Sequence, residues 1–332
     1  MNIYHILLKS LHKIYVKLYT KPFVLAKDIP GIIMDPDEAS KKIFLLLDDD
    51  KPCMIARFGS TELQNVNNYK SITASHHSLW KYIINKEREW WWNEKNCQHM
   101  MTHSGFFPNT KENLCKFGEL MCKDSIELDL LGSWISEELF ASDIIPKHTI
   151  RIPLMHLEPF WATKPWTRVL KGKRIVVVHP FAELIEAQYN YHRTELFENE
   201  DILPPFKLRT VKAVQSLGGE NKDFYDWFEA LNWMKSEVCK EDFDIALIGC
   251  GAYGFPLAAH IKRYGKKAIH LGGALQLLFG IRGNRWDDPL YGVKEWNIPA
   301  GSYSSLPNEN WVRPSAEMKP RTANNVEGGC YW

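Results

Sequence analysis

The chain has 332 residues, enough for one large α/β domain that buries its core without metal or disulfide staples. Lys plus Arg (41) nearly balances Asp plus Glu (40), so no global field draws the protein to nucleic acid, and a nucleic-acid partner is disfavoured. Aromatic residues make up 13%, including 13 Trp, a supply that suits stacking on sugar rings as well as core packing. Seven cysteines with no CxxC spacing fit a reducing compartment. The absence of both an apolar run of about 18 residues and a small-residue cleavage site points to the cytoplasm.

In chain order, residues 1–20 set Ile3, Tyr4, Leu7, Leu8, Leu11, Ile14, Tyr15 and Leu18 on one helical stripe, with Lys9, Lys13 and Lys17 opposite. Such a basic amphipathic helix docks on its own domain or a partner subunit, or lies on an anionic membrane surface at the inner face of the cytoplasmic membrane. With its linker it occupies residues 1–30, and a single domain fills 31–332. Asp35-Pro36-Asp37-Glu38 reads as an N-cap, a Pro at N1 and a capping acid, opening a helix that ends at Asp48-Asp49-Asp50, a solvated turn.

Buried strands are predicted at Cys53 to Ala56, Ile126 to Leu131, Arg174 to Val178, Leu208 to Val214, Asp244 to Ile248 and Ala268 to Leu271. Helices are predicted at Thr110 to Cys122, Ala182 to Phe197, Lys222 to Lys240 and Pro256 to Tyr264. This alternation predicts an α/β fold, a Rossmann-like, mostly parallel sheet with helices on both faces. Residues 80–96, with Trp90-Trp91-Trp92, read as an insertion or lid whose aromatics suit an acceptor, and 282–332 as a tail wrapping the domain.

Ligands of parallel sheets bind beyond the carboxyl ends of the strands. Three loops there carry chemistry. Gly249-Cys250-Gly251-Ala252-Tyr253-Gly254 is a GxGxxG turn between strand and helix, suited to a diphosphate on helix amides. A dinucleotide would also need an acid after the next strand; the sequence there reads His270-Leu271-Gly272-Gly273, a second glycine turn. The same GxGxxG can simply pack helix on strand. Arg57-Phe58-Gly59-Ser60-Thr61-Glu62 offers a cation for phosphate and a carboxylate for Mg²⁺ or Mn²⁺, or else a structural Arg-Glu pair. His179, after its strand, suits phosphate binding or proton transfer, or a turn hydrogen bond.

Arg57-Phe-Gly-Ser-Thr-Glu62 resembles the RFGDGE-type signature of the GT-D glycosyltransferases. The likeness continues through His179-Pro-Phe-Ala, the Lys212–Ser216 segment, Gly249–Leu257, His270–Gln276 and Gly328–Trp332, as in proteins found among bacterial polysaccharide genes. It implies a Rossmann-like fold, a UDP-sugar donor, a surface-glycan or lipid-linked glycan acceptor, and Mn²⁺ or Mg²⁺ held by an Asp-x-Glu motif. Ser60 stands where that motif has its first acid, leaving Glu62 as the one carried-over ligand. The nucleotide is then expected over Gly249, Gly251, Tyr253, Gly254, Gly272 and Gln276, near Gly59 and Ser60, with Arg57 and Arg282 on the departing diphosphate. Glu62, Glu158 and His179 are the candidates for catalysis. A dinucleotide-dependent sugar oxidoreductase or epimerase, and a non-catalytic polysaccharide-assembly scaffold, are the alternatives.

Overall fold

The structure, a computed structural model, describes residues 3–216, 218, 221, 223–319 and 329–332. Lys222 and Gly328, which belong to segments singled out above, lie outside them.

Seven strands form one all-parallel sheet: β1 (Cys53–Ala56), β2 (Leu130–Ser133), β3 (Ile150–Pro153), β4 (Arg174–His179), β5 (Lys207–Lys212), β6 (Ile245–Ile248) and β7 (Lys267–His270), in the order β3-β2-β1-β7-β6-β4-β5. The alternation inside each strand builds two cores. Met54, Ala56, Val176, Val178, Ala246, Ile248 and Ala268 point to one face, under the helices Ser60–Thr73, Lys111–Ser125, Trp227–Cys239 and Gly254–Arg263. Ile55, Ile175, Val177, Ile245, Leu247 and Ile269 point to the other, under Pro36–Asp48, Ala182–His192 and the C-terminal tail. Tyr303, Trp311 and Trp332 of that tail are buried in the second core.

The predicted elements hold with shifted ends. Asp35 accepts from the Glu38 amide at 2.7 Å and starts its helix as expected. The segment Ile126 to Leu131 is a strand only from Leu130; Ile126 caps the preceding helix and is exposed, and Asp129 turns inward to accept from the Met54 amide at 2.8 Å. Strand β3 was not foreseen. It lies at the sheet's edge, where Ile150 and Arg151 are only half-buried, so its apolar signal is weak. The predicted helix through Phe197 gives way after His192 to a 3₁₀ turn, and the one before Lys240 starts only at Trp227, where the Asp226 side chain caps it. In the insertion, Trp90 and Trp91 are half-buried around Tyr82, with ring centroids 5.6 and 5.5 Å away. The exposed tryptophan nearby is Trp80.

Asp124, at the end of Lys111–Ser125, has a side chain with no exposed surface and binds Arg263 at 2.8 Å. That pair fixes the far end of the Gly254–Arg263 helix, whose near end enters the crevice described below. Removing the cation strands a buried carboxylate, so Arg263→Met is expected to cost about 3 kcal/mol in denaturant unfolding, with Asp124→Leu added to the same chain restoring most of it.

Candidate functional site

The winding of the sheet reverses between β4 and β6. From β4 the chain leaves through Ala182–His192, on one face, to the outer strand β5; from β6 it leaves through Gly254–Arg263, on the other face, to β7. The two exits part, and at such a switch point parallel sheets hold their ligand crevice, beyond the carboxyl ends of these strands. Val178, Ile248 and His270 stand in one row of the register, so His179, Gly249 and Leu271 follow in the next.

His179 lines this crevice. It is 3% exposed, and its Nδ1 accepts the Phe181 amide at 3.0 Å, which places the ring proton on Nε2. Burial lowers its pKa to about 3, so the ring is neutral near pH 7. Neutral and with Nε2 protonated, His179 is a hydrogen-bond donor there; the sequence allowed it the role of base, which this tautomer does not serve. Its Cδ2 would lie 2.6 Å from any Cβ at position 249, and the Gly272 carbonyl 2.8 Å, so the first glycine of the motif is required by close packing.

Beyond it, Gly251 has φ +57° and nothing within 4 Å of where a Cβ would stand. It is exposed and opens the 3₁₀ turn leading into Gly254–Arg263. The Gly254 amide closes this turn on the Gly251 carbonyl, and Pro256 in the next turn carries no N–H. His270, which the sequence gave only as part of a glycine turn, packs its ring against Gly254. Its Nδ1–H donates to the Ile248 carbonyl at 3.2 Å, and burial, with the Arg57 charge adding to it, lowers its pKa to about 3.

Arg57 enters from β1. Its side chain passes 3.7 Å from the position of a Cβ on Gly272 and lies 5.2 Å from the Trp134 ring, whose Nε1–H donates to the Phe58 carbonyl. Among the described residues it has no acidic partner. The Arg57-Glu62 pair that the spacing allowed is therefore not formed. The Glu62 carboxylate instead folds over Gly59, the N-cap of Ser60–Thr73, with Ser60 in the first turn.

The other candidates lie elsewhere. Tyr253 is a core residue, stacked on Trp227 at 4.7 Å with its hydroxyl 2.8 Å from Ser216 Oγ. Gln276 is fully buried, and its amide donates to the carbonyls of Ile281, Arg282 and Tyr331, clasping the tail. Arg282 is paired with Asp287 at 2.9 Å, and Arg313 pairs with the same acid, so two guanidiniums share one carboxylate. Among the described residues no three His, Cys, Asp or Glu side chains converge as a metal site, and Glu62 supplies one carboxylate; this donor set does not fit a metal held by the protein alone.

A second polar cleft of about 220 Å³ is built along the Ser60–Thr73 helix. Gln64, Arg88, Glu89, Asn93 and Asn96 line it, and Asn96 Oδ1 is buried with no hydrogen-bond partner among the described residues.

Glu158 is 7% exposed and accepts from the Tyr303 hydroxyl at 2.8 Å and from Trp161 Nε1 at 3.1 Å, which ties the loop after β3 to the tail. Burial raises its pKa to about 8, so near pH 7 it is mostly protonated. The unfolded chain releases that proton near 4.5. Its contribution to stability is therefore full below about pH 4.5 and lost as pH rises to about 8. Thermal melts of the wild type and Glu158→Gln should converge at about pH 5 and separate in favour of the variant by roughly 5 °C at about pH 8.5. A constant gap across that range would show that Glu158 titrates normally.

No family model, curated protein or solved structure matches the chain.

Proposed function

We propose that the protein is a glycosyltransferase that moves a sugar from a nucleotide diphosphate sugar, a UDP-sugar first among them, to a surface-glycan or lipid-linked glycan acceptor. The observation that carries this reading is Arg57, a cation without an acidic partner among the described residues, beside the glycine turn of a switch-point crevice. An anionic ligand such as a diphosphate answers that charge.

In the transfer, the bond from the anomeric carbon to the diphosphate breaks while the oxygen of an acceptor hydroxyl bonds to that carbon and its proton passes to a phosphate oxygen of the departing diphosphate. Charge grows on the departing diphosphate, and Arg57 and the Nε2–H of His179 are the groups positioned to stabilise it. Glu62, the one carried-over candidate ligand for Mn²⁺ or Mg²⁺, stands in the first turn of the helix Ser60–Thr73, which follows Arg57. The amide-rich cleft at Gln64, Asn93 and Asn96 offers hydrogen-bonding partners of the kind sugar hydroxyls take, on the helix that starts beside the crevice. The GxGxxG turn also suits a dinucleotide, but β7 ends in His270 and a glycine turn, with no acid for the ribose.

Purified protein should bind or turn over at least one of the UDP, GDP, dTDP and CMP sugars, with arms in Mn²⁺ and in EDTA. Arg57→Gln should lower kcat/KM about 100-fold, or about 2.7 kcal/mol of transition-state stabilisation, while leaving the melting temperature nearly unchanged. If no nucleotide sugar binds and NAD absorbance is retained through purification, the oxidoreductase reading replaces this one. If neither ligand binds, a scaffold remains.

A further inference from the structure

The Ile3–Tyr19 helix packs on the body of the protein along one side only. Leu8 is 5% exposed, the His5 ring stacks on Trp91 at 4.0 Å, and His12 stacks on Tyr82 at 4.8 Å with Nδ1 2.8 Å from the Tyr82 carbonyl. These contacts fix the rotation of the helix. Of the apolar stripe read from the sequence, Leu8 faces the body, while Ile3, Leu7, Leu11, Ile14 and Leu18 face out, each residue being 50 to 75% exposed. A soluble domain gains nothing by holding five large apolar side chains in water on successive turns.

The stripe continues onto the body. Leu79 and Trp80, on the short helix Leu79–Ile83 that packs against it, are 46% and 64% exposed. Tyr19 is 70% exposed at the helix's end. The helix side of this surface carries charge of one sign, with Lys13, Lys17 and Lys21 exposed and no Asp or Glu before Asp28 in the chain; beside Leu79 and Trp80 the carboxylate of Glu87 is paired with Lys81. No helix among the described residues is long and apolar enough to cross a membrane.

We propose that this surface docks the protein on an anionic lipid bilayer, with the Ile3–Tyr19 helix lying in the plane of the interface, Trp80 and Tyr19 at headgroup depth, and the lysines on the phosphates. The lysines select this occupant. A second copy of the chain would bring the same lysines against one another, whereas an anionic headgroup layer neutralises them while the acyl boundary takes the apolar stripe. The inference is independent of glycosyl transfer, since it rests on a surface that shares no residue with the crevice.

Vesicle co-sedimentation of the full chain tests it, using phosphatidylcholine with and without phosphatidylglycerol. Binding should be about tenfold or more tighter to the anionic vesicles and should weaken as salt rises. Leu11→Gln with Leu18→Gln, and separately Lys13→Glu with Lys17→Glu, should each weaken it about tenfold with little change in melting temperature, because all four side chains are exposed. Failure to bind anionic vesicles, or equal binding to neutral ones, overturns the proposal. So does concentration-dependent dimerisation in ultracentrifugation that the two leucine changes abolish, which would assign the stripe to a second copy.

Discussion

A parallel sheet cannot leave either face to water, because each strand's alternating side chains are apolar on both sides. Covering both faces sends the chain back over the sheet first on one side and then on the other, and the order β3-β2-β1-β7-β6-β4-β5 reverses direction where β4 meets β6. Everything at the candidate site follows from that reversal. It leaves His179 and the Gly249–Gly254 turn at the carboxyl ends of β4 and β6. It also brings the start of the Gly254–Arg263 helix, clamped at its far end by Asp124, to the same place.

How much of this was legible in the sequence depended on whether a signal was local. The strands β1, β4, β6 and β7 are short apolar runs bounded by turns, and their burial on both faces is what makes them read as runs. Edge strand β3 escaped because Arg151 reaches across to Glu138 at 2.9 Å, so an arginine interrupts the pattern. The amphipathic helix was found from its period, but which arc faced the body was not, since His5 on Trp91 and His12 on Tyr82 decide it through contacts 86 and 70 residues apart. A hydrophobic stripe announces only that something apolar covers it, and the sequence does not say that the cover is another part of the same chain.

The candidate site shows the same division. Gly249 and Gly251 were visible because glycine has few other reasons to recur at that spacing after a strand. Tyr253, Gln276, Arg282 and Glu158 lay in or near the same loops, yet each is bound to a partner the spacing could not show: Ser216 and Trp227, the carbonyls of the tail, Asp287, and Tyr303, 145 residues away from Glu158. His270 passed as the residue before two glycines. The signal that could have found it is its place at the end of a strand next to the GxGxxG strand, where any side chain enters the crevice row.

Burial decides which of these groups carry charge. His179 and His270 sit where desolvation holds both rings neutral, and Glu158 is mostly protonated for the same reason. Arg282 shares Asp287 with Arg313, and Glu62 is folded over its own helix start. A guanidinium does not escape its charge by releasing a proton, so Arg57 remains the fixed positive charge of the crevice. The environment that silences the histidines thus strengthens the field of the arginine beside them, because fewer opposing charges and less water screen it. Under the proposed function, the diphosphate leaving group would meet that charge before any contact of shape.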